Sequence, residues 1–247
     1  MNDNNFPLRL NKCPIADALV EIRFRSNLDR NVVFGMIYNQ VKDKYKGNIQ
    51  PLPILQIPSQ VRDSDPELQF KPLYRIEGDG VILQIGPDVI CFSSTIPYIG
   101  WKRLSFEVKD IIRKLSDNDI ISEVTRLGHR YVNFFEGNVQ DDLNMRFNID
   151  CDCEKTFLHV RTDLKDGNFV NIVQFTSSAN LHDAKANIST KGQVIDIDTS
   201  RIYENEGDCF LKRIDSEIDA AHLCEKRIFF SLLNNKLINS LEPIYNE

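Results

Sequence analysis

Residues 126–135 read Arg-Leu-Gly-His-Arg-Tyr-Val-Asn-Phe-Phe, which concentrates hydrogen-bonding groups in a run that otherwise has the composition of a buried strand. Strict alternation puts Leu127, His129, Tyr131, Asn133 and Phe135 on one face and Arg126, Arg130, Val132 and Phe134 on the other. A guanidinium is a planar fork that holds a carboxylate or phosphate through paired hydrogen bonds. Arg126 or Arg130 can therefore hold an anion, with His129 and Asn133 to orient it. Arg126, Arg130, Tyr131 and Asn133 form the expected ligand-binding set. The same residues also fit an internal tether, with Arg130 paired to a carboxylate and Asn133 satisfying backbone at a strand end. The tether is the stronger reading, because buried arginines are mostly paired for structural reasons. Gly128 marks a bulge that re-aims Arg126.

Other clusters carry weaker chemistry. Asp196 and Asp198 share a strand face at i and i+2, where two carboxylates can bind Mg2+ or do acid–base work. No third ligand is visible nearby, and an exposed sheet face alternates in the same way. Cys151 and Cys153 with His159 are not the four-ligand, two-pair spacing of structural zinc, so neither a metal site nor a cofactor is expected. No Gly-x-Ser-x-Gly or Gly-rich phosphate loop occurs, and His222 and Cys224 diverge on a helix at i and i+2. Asp215, Glu217 and Asp219 near a helix start are accounted for by the helix dipole. No catalytic residue is expected.

The elements that must position these groups alternate between strand and helix periods. Residues 13–24 end in a strand, and Asp29 caps a helix carrying Val33, Met36, Ile37, Val41 and Tyr45 that stops at Gly47. Pro51, Pro53, Pro58, Pro66 and Pro72 make the next segment an edge strand or a long loop. Three strands follow, joined at Gly78-Asp79-Gly80 and Gly86-Pro87-Asp88, and then a helix with Leu104, Val108, Ile111, Ile112 and Leu115 on one face. Beyond residue 119 a long strand over 121–135, further strands starting at Thr156, Phe169 and Gln193, and a helix from Leu211 to Leu241 echo that order. The expected fold is α+β: two antiparallel sheets backed by long helices, strand–helix–strands–helix in each half, with a loose internal duplication suspected. The halves are residues 1–118 and 119–247, expected to form one compact unit. The last helix is apolar on more than one face, so it is either buried or covered by a second copy of the chain.

Composition narrows the function classes. The 247 residues suffice for a core without disulfide or metal staples, and 42% hydrophobic with 27% charged residues is ordinary for a globular chain. Thirty-six acidic against 30 basic residues, net −6, disfavours a broad grip on nucleic acid. Nothing approaches a membrane span, and the first residues lack a signal pattern. Six scattered cysteines imply reduced thiols and a cytoplasmic location.

The segment "CPIADALVEIRF", the "RLGHRYVNFF" strand, the "IDID" strand and the closing "AAHLCEKRIFFSLLNNKL" helix fall in an order that resembles a sporadically distributed, functionally uncharacterised prokaryotic family. Pro14-Ile15 match its Pro-Ile lead-in, Arg130-Tyr131-Val132-Asn133 its strand motif, and His222 with Phe229 or Phe230 its C-terminal helix. His129 stands where the family usually has leucine. The resemblance covers most of the chain, and its patchy distribution implies a defence-associated or mobile-element setting. The expectation is a non-enzymatic binding or adaptor protein acting through a protein partner, such as a neighbouring gene's product, or an anionic ligand. The rival expectations are a metal-dependent hydrolase or nuclease using Asp196 and Asp198, and one half of a toxin–antitoxin pair.

Overall fold

The structure is a computed structural model that describes residues 6–146, 156–183, 187–204 and 207–245. Its elements in order are β1 (Arg9–Leu10), β2 (Ile15–Arg25), α1 (Arg30–Val41), β3 (Gln50–Pro51), α2 (Ser59–Ser64), β4 (Tyr74–Glu77), β5 (Val81–Ile85), β6 (Val89–Ser94) and α3 (Trp101–Asp117). They continue with β7 (Glu123–Glu136), β8 (His159–Asp166), β9 (Phe169–Asp183), β10 (Ile188–Ile202), α4 (Gly207–Lys212), α5 (Ile214–Leu232), α6 (Asn235–Ser240) and β11 (Pro243–Ile244). The fold is α+β with two unequal antiparallel sheets. One pairs β1 with β11; the other has nine strands in the order β3-β4-β5-β6-β2-β7-β10-β9-β8.

Two compact units divide the chain, each assembled from separated segments. The first comprises residues 1–17, 130–199 and 222–247; the second comprises 18–129 and 200–221.

In the second unit, alternation along β2 buries Val20, Ile22 and Phe24 while leaving Leu19, Glu21 and Arg23 on the opposite face. The register carries this alternation outward: Phe92 and Ile90 on β6 lie opposite Val20 and Ile22, and Leu83 and Ile85 on β5 lie opposite Phe92 and Ile90. The buried stripes of α1 (Val33, Ile37, Val41) and α3 (Leu104, Val108, Ile111, Ile112, Leu115) complete this core. Asp29 caps α1 as its position predicts, accepting from the Asn31 backbone N–H at 2.9 Å. The proline-rich stretch forms only the two-residue edge strand β3, then a 3-10 turn over Pro53–Gln56 and the short α2.

In the first unit, β8 and β9 pair without interruption from His159↔Thr176 to Asp166↔Phe169. Phe135, Leu143, Val173, Phe175, Ile195 and Ile197 pack with Phe229, Phe230, Leu233, Leu237 and Leu241 in one core cluster. The apolar face of the closing segment, which raised self-association through that helix, is thus buried inside the unit. The single helix expected over 211–241 is three helices. Asn234 breaks it: its side chain accepts from Leu237 N at 2.9 Å and caps α6, while its own N–H donates to the Asp142 carbonyl. A capping residue with an alternative backbone partner outweighs continued helical periodicity.

Among the described residues no helix is long and apolar enough to cross a membrane.

Candidate functional site

The four residues expected to bind a ligand do not converge. Alternation along β7 holds as read: Leu127, His129, Tyr131, Asn133 and Phe135 are buried, while Arg130 is exposed. Tyr131 and Asn133 therefore face the opposite way from Arg126 and Arg130. Asn133 donates to the Ile195 carbonyl at 3.3 Å, and Tyr131 stands edge-on to His222 with ring centroids 5.9 Å apart.

Arg130 forms a bidentate pair with Asp196, Nε to Oδ1 at 2.9 Å and Nη2 to Oδ2 at 2.6 Å. That fork holds the guanidinium's proton more tightly than usual, and the charges of Asp198 and Asp17 add to the effect. Three carboxylates around one arginine give an acidic neighbourhood that repels a ligand anion. Both Asp196 oxygens are occupied, so a cation there would have to displace the guanidinium. Asp196→Asn keeps the shape but loses the charge-assisted fork. Because Arg130 is about half exposed (46%), the expected loss is about 1–2 kcal/mol, read as a lower urea midpoint with an unchanged slope.

Cys151 and Cys153 lie outside the described residues. His159 bonds Thr176 Oγ1 at 3.0 Å through Nδ1. On α5, Cys224 approaches Asn171 and Asp166 at 3.4 and 3.6 Å while His222 meets Tyr131, so the two side chains diverge as their spacing requires. Glu225, one turn beyond His222, is buried, and desolvation pushes its carboxyl well above the usual range.

A more complete site lies in the second unit, on the sheet face opposite its core. Glu21, Cys91 and Gln84 are cross-strand neighbours on β2, β6 and β5, forming a polar row. Over this row the chain between β3 and β4 folds back, leaving a cleft of about 700 Å3. Its floor includes Glu21, Arg23, Gln84 and Cys91, and its walls include Leu52, Ile54, Leu68 and Phe70. The residue order predicts an edge strand or a long loop for this segment. Its prolines limit strand pairing, and its apolar residues then find cover on the sheet face.

Glu21 organises the charges. It accepts from Arg23 Nε at 2.7 Å and from Arg126 Nη1 at 2.6 Å, so one carboxylate fixes two guanidiniums. Arg23 also lies over the Phe70 ring, 4.4 Å from its centroid. Its terminal nitrogens make no hydrogen bond among the described residues, and its side chain keeps 29% exposure at the cleft. A guanidinium locked at Nε and on its face, with its outer edge open, is preorganised for an anion. Burial pushes the Cys91 thiol well up, with the Glu21 charge adding to it, so Cys91 is a protonated floor group rather than a nucleophile.

At Gly128, where the sequence suggests a bulge, the observed feature is a close approach of the Arg126 side chain. A Cβ at this position would sit 2.4 Å from Arg126 Nη1. Gly128→Ala must push the guanidinium aside, and a flexible side-chain end can yield. The expected result is a loss of less than about 1.5 kcal/mol, with the Glu21–Arg126 hydrogen bond broken in a crystal structure of the variant. An unmoved Arg126 would refute the contact.

Glu21 and Arg23 lie on the mixed face of β2, and the residue order alone gives them no role. The available signal was the i, i+2 pair of opposite charges on a strand whose other face is wholly apolar. In comparisons with known proteins, no protein-family profile matches the chain, and no curated protein matches it.

Proposed function

We propose that the protein is a non-enzymatic binding protein whose second unit takes an anionic ligand with an apolar body in the cleft beneath the 52–72 segment. The observation that carries this reading is Arg23, fixed by Glu21 and Phe70 with its outer nitrogens open to the cleft. A ligand carboxylate or phosphate meets that edge, and Leu52, Ile54 and Leu68 cover the remainder. The volume suits a ligand of drug-like size or a short side-chain-sized chain. Support also comes from Arg130, whose surrounding carboxylates oppose the same ligand. A cytoplasmic setting and membership of the sporadic prokaryotic family belong to the same proposal, resting on the scattered cysteine pattern and the quoted segments.

A thermal-denaturation panel tests it. Straight-chain carboxylates of increasing length should raise the melting temperature of the full chain progressively, and the matching alcohols should not. Arg23→Gln should abolish the carboxylate shift. Equal shifts with acids and alcohols would remove the anionic part of the proposal, and no shift with any probe would remove the whole.

A further inference from the structure

We infer that β8 is a self-recognition edge, pairing antiparallel with β8 of a second copy of the chain. β8 is the last strand of the nine, so among the described residues one of its edges is unpaired. It is also exposed on both faces through Arg161, Thr162, Asp163, Leu164 and Lys165. Eight consecutive residues pair with β9 without a bulge, and the strand contains no proline, so it lacks two of the devices that normally stop an edge from recruiting another strand.

Its side-chain order selects the partner. When two copies pair about a two-fold axis perpendicular to the sheet, residues of like parity face each other. Centring the axis on Thr162 places Arg161 opposite Asp163 of the second copy, and Asp163 opposite its Arg161. On the other face Val160 meets Leu164 twice. Leu164 is 41% exposed in the single chain, so it gains cover. The outermost contact, His159 opposite Lys165, is the least favourable. Moving the centre by one residue breaks the match in either direction. A centre at Arg161 sets two arginines against each other, and a centre at Asp163 sets two aspartates against each other and Arg161 against Lys165. Cross-strand opposite charges stabilise and like charges destabilise, which removes both neighbouring centres. A centre at Leu164 also matches charges, Asp163 against Lys165, but overlaps only residues 162–166 of β8, so the longer register centred on Thr162 is favoured. A foreign strand would have no reason to carry this order; the chain's own image carries it automatically. One strand pair buries less than a standard stable interface, so the dimer is weak and concentration-dependent.

Sedimentation equilibrium of the full chain over a wide concentration range tests this. The wild type should shift from monomer to dimer. Arg161→Asp and Asp163→Arg should each weaken association by about tenfold or more, because two attractive contacts become repulsive. The double variant R161D/D163R restores opposite charges and should restore dimerisation. All four side-chain states are exposed, so folding is not at issue; the Arg161–Asp163 contact within the strand is itself a surface pair, both partners more than half exposed. A wild type that stays monomeric throughout overturns the inference. So does a dimer indifferent to R161D, which would place the contact elsewhere, or a double variant that fails to recover.

Discussion

His129→Leu is expected to remove much of the protein's sensitivity to mild acid. His129 is fully buried beside Trp101, the ring centroids 5.0 Å apart and nearly perpendicular. Desolvation of the imidazolium holds its pKa down at about 3, against 6.5 for an ordinary histidine. In the unfolded chain the ring takes up a proton near 6.5, whereas in the folded chain it stays neutral until about 3. Stability from this group is therefore present above 6.5, falls as the pH drops, and levels off below about 3. Between pH 7 and 4.5 the loss from this residue alone is on the order of 2–3 kcal/mol. Leucine keeps an apolar group against Trp101 and has nothing to protonate. Urea unfolding at the two pH values should show that difference in the wild type in excess of the variant. Parallel pH dependence in both proteins would contradict the buried neutral imidazole.

Glu21→Ala is the second large effect, and it acts on stability and binding together. Glu21 is 17% exposed at its side chain and is the shared acceptor of Arg23 and Arg126. Removing it leaves two part-buried guanidiniums that lose a charge-assisted partner. The expected destabilisation is about 2–4 kcal/mol, near the range for breaking a buried pair from one side. Glu21→Gln retains an acceptor oxygen and should lose less. Binding should suffer in both, because Arg23 is no longer held in place and must be ordered at the ligand's expense. A loss of binding with unchanged stability would mean that Glu21 touches the ligand directly rather than positioning Arg23.

Much of this architecture is legible in the residue order, and the exceptions have physical causes. Alternation along β7 assigns Leu127, His129, Tyr131, Asn133 and Phe135 to the buried face and Arg130 to the exposed one, because a strand half-buried on one side leaves no freedom of register. Asp29 is legible as a cap for the same local reason. The division of the closing segment at Asn234 is not, since the decisive bond runs to Asp142, far away in sequence. The cleft is hidden in a similar way. Proline spacing says that 51–72 resists strand pairing, but not that Leu52, Ile54, Leu68 and Phe70 return to the face carrying Glu21. The cross-strand row of Glu21, Cys91 and Gln84 depends on register between β2, β6 and β5, which no single stretch encodes. Arg130 is legible as a paired cation, whereas the pairing of Arg126 is not. Their partners, Glu21 and Asp196, decide their roles, and those partners come from other strands.

Isothermal titration of octanoate into the full chain, with octanol as the uncharged control and Arg23→Gln as the variant, tests the central claim most directly. The account predicts saturable binding of octanoate to the wild type, at least about tenfold weaker binding of octanol, and a comparable loss of octanoate affinity in the variant. Octanoate binding that survives Arg23→Gln unchanged would contradict it.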